Sequence, residues 1–388
     1  MDKFRKRSYL PGDEHQINAL YKLITGIERT AEEFHWEWID TWDEKGDIWL
    51  GFDKTRKSND QLILQYSLIP TPFSLWGVCF VAGKTENCMC HPDYRSAGIY
   101  FTHEKESFEK SKNRFQIFFT TSGNVSNGAV GAVRRKLGYV AFDSWINYLY
   151  CLDADTMQMW LSTKLSKKIK LHYSFIKILS QVVSRTASFY CSAFPRKKMN
   201  SEIKTIKKEQ APMIEIENLW GKNKALYGVT VDRTAKYLNW RINQNPYVNH
   251  EYVLYYKKKK LRGYIVFFCH NNIITIVDLL SDNKEVAILK EMVKVLIDYG
   301  QKNEIAIIRA TATKNTRVLK TVFAHCGFIN DSLISSIIMR FKTNLKSPFH
   351  VFIPKKIHRE FLATGKDTLL PQNWYITSIV QEGSSPKP

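Results

Sequence analysis

Cys90-His91-Pro92-Asp93-Tyr94-Arg95-Ser96-Ala97-Gly98-Ile99-Tyr100 stands between an apolar run that reads as a strand (77–90) and an amphipathic run that reads as a helix (96–112). A glycine at such a junction lets the backbone approach a ligand closely, and the first N–H groups of a helix have no intrahelical acceptor. Together they suit a diphosphate, with Arg95 adding charge at the rim. Taken alone, Arg-x-x-Gly before a helix is usually only a helix start, so its surroundings decide the reading.

Downstream, Phe115-Gln116-Ile117-Phe118-Phe119-Thr120-Thr121 reads as a strand. Asn124, Ser126 and Asn127 then open a helix over 125–137, Gly138-Tyr139 closes it, and 140–152 reads as a strand pair. Upstream, Gly12-Asp13-Glu14 precede the helical spacing of Ile17, Leu20, Tyr21 and Ile24, and a second helix is expected over 31–42. Strands follow over 48–52 and 62–69, the latter ended by Pro70 and Pro72. The second half repeats this grammar: strands 253–256 and 264–269 across a lysine-rich tip (257–262), strand 273–280, helix 285–299, strand 304–310, helix 317–325 and Gly327-Phe328. Gly138 lies 48 residues after Cys90, and Gly327 lies 47 after Leu280. The expected fold class is α/β (α+β), a mixed sheet flanked by helices in each of two related halves. The divisions read as 1–155, a basic helical connector 156–210, a second domain 211–345 and a C-terminal extension 346–388.

Composition bounds the function classes. The 388 residues are 44% apolar and 13% aromatic, enough for two cores and too apolar for a disordered chain. No run of about 18 uncharged apolar residues occurs, and Met1 to Arg7 hold no apolar signal core, which predicts a soluble, cytoplasmic protein. Seven cysteines show neither zinc spacing nor a secreted disulfide framework, and no metal is expected. The net charge of +20 draws phosphates from nucleic acid, an anionic membrane or a phosphorylated small ligand, unless it is only a general basic bias. Between Trp160 and Gln210, twelve Lys and Arg face only Glu202 and Glu209. There Leu161, Leu165, Ile169, Tyr173, Ile176, Leu179 and Val183 keep one helical face, with lysines expected opposite and Pro195 ending the helix. That pattern fits a packed helix with a solvated back, or contact with a membrane surface.

The order strand, Arg95-x-x-Gly98, helix, strand, Asn-led helix resembles the acyl-CoA-dependent N-acyltransferase superfamily, usually called GNAT. His91-Pro92-Asp93-Tyr94-Arg95-x-x-Gly98-Ile99 is similar to its pyrophosphate signature. The resemblance covers roughly residues 5–150 and extends to 210–345 as an echo of the fold. Tyr237-Leu238-Asn239-Trp240-Arg241 with Pro246 resembles double-domain members from polysaccharide biosynthesis loci. The resemblance implies acetyl-CoA or another acyl-CoA as cosubstrate, with the amides of Arg95, Ser96, Ala97, Gly98, Ile99 and Tyr100 on the pyrophosphate. Asn127, with Asn124 beside it, would face the pantetheine arm, and splayed strands at Cys88 to Cys90 and 118–120 would expose backbone to the thioester. Glu86, nine residues before Arg95, matches the family's general base. Arg134 stands where the family has a thiolate-protonating tyrosine, so either Tyr139 or a tyrosine of the second half is the donor, or the thiolate leaves without a dedicated acid, or the site no longer turns over. Tyr100 stands where glycine or alanine is usual.

The second copy has Ser281-Asp282-Asn283-Lys284-Glu285 in place of the glycine loop, so it is expected not to bind CoA and to supply an acceptor wall instead. Tyr237, Trp240, Arg241 and Asp278 are the candidates there, although a capping or salt-bridge role suits Asp278 better. His35 and Trp38, on the second helix, are candidates for stacking an acceptor, or for plain packing. The acceptor implied is a small-molecule amine, an amino sugar or nucleotide sugar among them; no DNA is expected. Two other readings stand beside this one: a Fem-type transferase using aminoacyl-tRNA, and a non-catalytic binding or peripheral membrane protein.

Overall fold

Thr30 and Thr234 each cap a short helix, their hydroxyls accepting from the N–H of Glu33 (3.1 Å) and Tyr237 (3.2 Å). Each helix runs on as a π-turn, His35–Ile39 in one case and Asn239–Asn243 in the other. The two sequences, Arg29-Thr30-Ala31 leading to Trp36 and Arg233-Thr234-Ala235 leading to Trp240, lie 204 residues apart and meet in space. Trp36 Nε1 donates to Trp240 O at 2.9 Å, Trp240 Nε1 donates to Trp36 O at 2.9 Å, and the rings stack with centroids 5.3 Å apart. This reciprocal pairing is the seam between two halves of like construction.

The computed structural model describes residues 3–55, 60–95, 98–121, 129–166, 173–193, 202–330 and 348–381. The first half comprises β1 (Phe4–Ser8), α1 (Glu14–Thr25), α2 (Ala31–Phe34), β2 (Asp47–Asp53), β3 (Gln61–Leu75), β4 (Val78–Cys90), α3 (Ile99–Ser111), β5 (Ile117–Thr120), α4 (Ala129–Lys136) and β6 (Val140–Cys151). Helices α5 (Ala154–Ser166) and α6 (Tyr173–Ser192) follow. The second half comprises β7 (Ile203–Lys207), α7 (Met213–Asn223), β8 (Val229–Val231), α8 (Ala235–Leu238), β9 (His250–Lys257), β10 (Lys260–His270), β11 (Ile273–Ser281), α9 (Val286–Lys302), β12 (Ile307–Thr313), α10 (Arg317–His325) and β13 (Ile329–Asn330). The C-terminal segment adds β14 (Pro348–Phe352), α11 (Lys355–Leu362) and β15 (Trp374–Tyr375).

Among the described residues the strands form one mixed sheet, ordered β1-β2-β3-β4-β5-β14-β6-β12-β11-β10-β9-β7. The β4–β5 and β11–β12 pairs are parallel and their neighbours on this path antiparallel, as the strand-helix-strand spacing predicts. The C-terminal extension is woven into the first half, because β14 enters between β5 and β6. Strand β6 in turn crosses the boundary, pairing with β14 at its start and with β12 along Trp145 to Cys151.

Several expected elements change form. The helix expected over 31–42 stops at Ile39, where the π-turn ends. The strand expected to end before Pro70 runs through both prolines to Leu75. The carbonyls of Pro70 and Pro72 point away from β4, accepting from Trp42 Nε1 and Asp232 N, so their missing N–H groups remove no bond of the β3–β4 ladder. The strand pair expected over 140–152 is one long strand, Val140–Cys151, since the sheet supplies partners along its length. The single connector helix is two helices, α5 and α6; Ile176 and Val183 are buried as expected, whereas the opposite side of α6 is largely apolar. Ile169 lies outside the described residues. The lysine-rich tip is a tight hairpin turn, with Lys258 and Lys259 at φ 51° and 61°.

Candidate active site

Parallel pairing of β4 with β5 covers only Ala82 to Lys84 against Ile117 to Phe119. Beyond Lys84, β4 continues to Cys90 on β3 alone among the described strands, so the two parallel strands part. A register shift opposite Gln65 and Ser67, with Asn87 at φ 46°, bends β4 at that point. The expected splay therefore begins at Thr85 and Thr120, while Phe118 is still paired.

The loop leaving β4 is anchored by its own motif. The His91 side chain accepts from Asp93 N (3.3 Å) and caps the turn Pro92–Tyr94. Tyr94 donates its hydroxyl to Asp53 at 2.6 Å. That bond and those from Thr55 hold the Asp53 carboxyl well below the usual carboxylate range. Arg95 is exposed, its Nε bonding Cys90 O at 3.3 Å. Gly98 takes φ 69° as the N-cap of α3, and a Cβ there would meet nothing within 4 Å. The first turn of α3 carries no acidic residue, which leaves its N-terminal field open to an anion. Tyr100 does not close the turn: its hydroxyl is buried beside Cys88, where burial pushes the phenol up. Ser96, Ala97, Asn124 and Asn127 lie outside the described residues.

At the apex, strand alternation separates two buried polar groups. On one face Lys84 and Glu86 form an ion pair, with Gln65 Nε2 donating to Ser67 Oγ at 2.7 Å on the neighbouring strand. All four side chains are buried. On the other face, Thr85 Oγ1 lies 3.3 Å from Tyr139 OH, and Arg134 Cζ lies 5.6 Å from the centroid of the Tyr139 ring. Arg134 is fully buried, ion-paired with Glu104 of α3, and its Nη2 is 3.6 Å from Cys88 Sγ. Burial pushes the Tyr139 phenol up, with Arg134 pulling it the other way, so Tyr139 keeps its proton near neutral pH. Burial also pushes the Cys90 thiol up.

The sequence reading missed His350. Strand β14 sets it opposite Thr120 and Ala141, at the splay, 1% exposed and with neither ring nitrogen bonded among the described residues. Burial, then Arg134 and Arg135, push its imidazole down to about 4. The available signal was one polar residue within Phe349-His350-Val351-Phe352, an apolar run of the C-terminal extension. Burial likewise lowers His103 to about 4 and His250 to about 3. Each of the three binds less proton folded than unfolded below the usual value of about 6.5, so stability is expected to fall as pH drops from there toward 4. The combined slope approaches about 4 kcal/mol per pH unit within that window. Urea midpoints at pH 7 and pH 5 check this, and equal midpoints contradict it.

The candidate acceptor residues lie elsewhere. His35 is exposed on its π-turn, whereas Trp38, Tyr237, Trp240 and Arg241 are buried at the seam and its surroundings. Tyr237 meets Trp42 edge-on at 6.1 Å, and Arg241 Nε donates to Ile379 O at 3.0 Å. These side chains are engaged with protein. The second cleft is filled as well. Parallel pairing of β11 and β12 ends at Ile276 and Ala310, and Asp278 stands two residues beyond, as Glu86 stands two beyond Lys84. There Ser378 Oγ donates to Ile276 O (2.8 Å), Tyr375 OH to Leu279 O (2.6 Å) and Thr377 Oγ1 to Asp278 (2.7 Å). The C-terminal segment thus stitches the second splay shut, and Arg262 neutralises Asp282 at its loop (2.8 Å).

Comparison with solved structures agrees with this architecture. A probable N-acyltransferase from Enterococcus faecalis V583, a conserved protein of unknown function, is similar at TM-score 0.59 and 13% identity, over 91% of this chain and 73% of its own. Saccharomyces cerevisiae N-myristoyltransferase with bound myristoyl-CoA is similar at TM-score 0.52 and 10% identity, over 91% and 79%. A tandem GNAT protein from the clavulanic acid biosynthesis pathway is similar at TM-score 0.51 and 10% identity, over 90% and 98%. No protein-family model matches the chain, and no curated protein matches it in sequence. The fold matches GNAT folds, a tandem one among them.

Proposed function

We propose that the chain is an acyl-CoA-dependent N-acyltransferase with its donor site in the first half. The observation that carries this is the asymmetry of the two clefts. The strands of the first part beside a glycine-capped helix start that carries an exposed Arg95, and the second is bonded across by the chain's own C-terminal segment. Bound acyl-CoA supplies the thioester carbon that an amine attacks. Around it, the freed amides of β4 beyond Lys84 are placed to polarise the carbonyl. Glu86 takes the proton from the attacking amine, Lys84 balancing its charge within the buried pair. The proton for the departing sulfur comes from the opposite face, where Tyr139 holds a phenolic proton and Arg134 a fixed positive charge. An acetyl group and a primary amine on a small molecule, such as an amino sugar, are the proposed acyl group and acceptor.

The test is a thermal melt with acetyl-CoA and longer acyl-CoAs. Saturation to about 100 times Kd is expected to stabilise the chain by about 2.7 kcal/mol, a rise of a few degrees. Arg95→Glu with Gly98→Trp is expected to abolish the rise; a side chain at φ 69° also costs about 1–2 kcal/mol, so the rise is read against the variant's own lowered ligand-free melt. Failure of every acyl-CoA to shift the melt rejects the reading.

A further inference from the structure

Helix α6 has two apolar faces. Ile176, Ser180, Val183, Ser184, Ala187 and Cys191 are buried. The helix is fixed to β6 by Tyr150 OH donating to Cys191 O at 2.9 Å and Cys151 N donating to Cys191 Sγ at 3.3 Å. On the opposite side Phe175, Ile178, Val182 and Phe189 stand 53%, 60%, 58% and 78% exposed. Their spacing of three, four and seven residues keeps them within an arc of about 60° at the 3.6-residue period. A folded helix with a docked face gains nothing from a second stripe of this kind in water, and so ordered an exposed apolar stripe marks a contact surface.

Charge identifies the occupant. Arg185 borders the stripe on α6 itself, and Lys177 lies farther round on the same side. From residue 156 to residue 201 the sequence has no Asp or Glu, and it has Lys164, Lys167, Lys168, Lys170, Lys177, Arg185, Arg196, Lys197 and Lys198. A second copy docked on this face would set Lys177 and Arg185 of one copy against the like charges of the other. An anionic bilayer instead offers counter-charge at its headgroups and an apolar layer for the ring and branched side chains. No helix among the described residues is long and apolar enough to cross a membrane, so the contact lies in the plane of the interface. We propose that the outer face of α6 docks the protein on anionic lipid surfaces. This is independent of the transferase reading, since the stripe lies near the β6 end at Cys151 and His350 pairs near its start, at Ala141.

The experiment is co-sedimentation of the full chain with phosphatidylcholine vesicles containing about one-third phosphatidylglycerol, and with phosphatidylcholine alone. Binding is expected to the anionic vesicles only and to weaken as salt rises. Ile178→Glu with Phe189→Glu is expected to weaken it at least about tenfold, through loss of apolar burial and gain of negative charge. The melting temperature should stay near the parent's, because both side chains are exposed. Lack of binding at low salt overturns the proposal, as does binding that survives these two substitutions. A dimer in sedimentation velocity that the same substitutions dissolve reassigns the face to a second copy and overturns it too.

Discussion

Replacing Asp278 by alanine is expected to lower the unfolding free energy by about 3–5 kcal/mol. Asp278 and Arg233 have no exposed surface, and they meet through two bonds, Nε to Oδ2 at 2.8 Å and Nη2 to Oδ1 at 2.9 Å. Tyr264 OH (2.8 Å) and Thr377 Oγ1 (2.7 Å) donate to the same carboxylate. Arg233 Nη1 donates to Thr230 Oγ1 and Val231 O, both at 2.9 Å. Removing the carboxylate strands a guanidinium that Asp278 holds charged, together with two hydroxyl donors, in a site without water access. Arg233→Met with Asp278→Leu is expected to restore much of the loss, because a charge pair taken out together leaves no orphan. Urea unfolding of the parent and the two variants measures this. A loss below about 1 kcal/mol for Asp278→Ala shows that the pair does not hold the second cleft closed.

Glu86→Gln is expected to lower amine-dependent CoA release by about 10²–10⁴-fold while the acyl-CoA thermal shift persists. The substitution keeps shape and burial but removes the proton acceptor at the splay. It also leaves the Lys84 ammonium without its counter-charge, so the melt of the free protein must be read alongside the rate. Lys84→Met with Glu86→Gln separates the two effects: the rate is expected to stay low after the melt recovers. If that double variant turns over at the parent's rate, Glu86 is not the base. Release is followed as free thiol across a panel of primary amines, including amino sugars.

The loop from His91 to Gly98 was legible because its bonds are local. His91 caps a turn two residues away, and Gly98 answers a positive φ at its own position. The absence of a glycine loop after β11 was legible for the same reason, and Asp282 is indeed held by Arg262. The fold was legible through the order of strands and helices and the near-equal spacing of the two units. The two aromatic segments were read as possible acceptor surfaces. Their reciprocal pairing shows why local pattern misled: a tryptophan that stacks on its counterpart 204 residues away has the same sequence signature as one that stacks on a sugar.

By itself the sequence determined the alternation of strands and helices, the position of the glycine-capped helix and the loss of that device in the second half. Each follows from side-chain period, backbone freedom at one residue or the composition of one loop. Tertiary structure alone decided that β14 enters the first half's sheet, that His350 comes to rest at the splay, and that residues 374–380 seal the second cleft. Those placements join residues more than 90 positions apart through backbone ladders and single hydroxyl bonds. Such bonds require only that a strand edge or carbonyl be vacant, and no local residue pattern records which distant segment fills it.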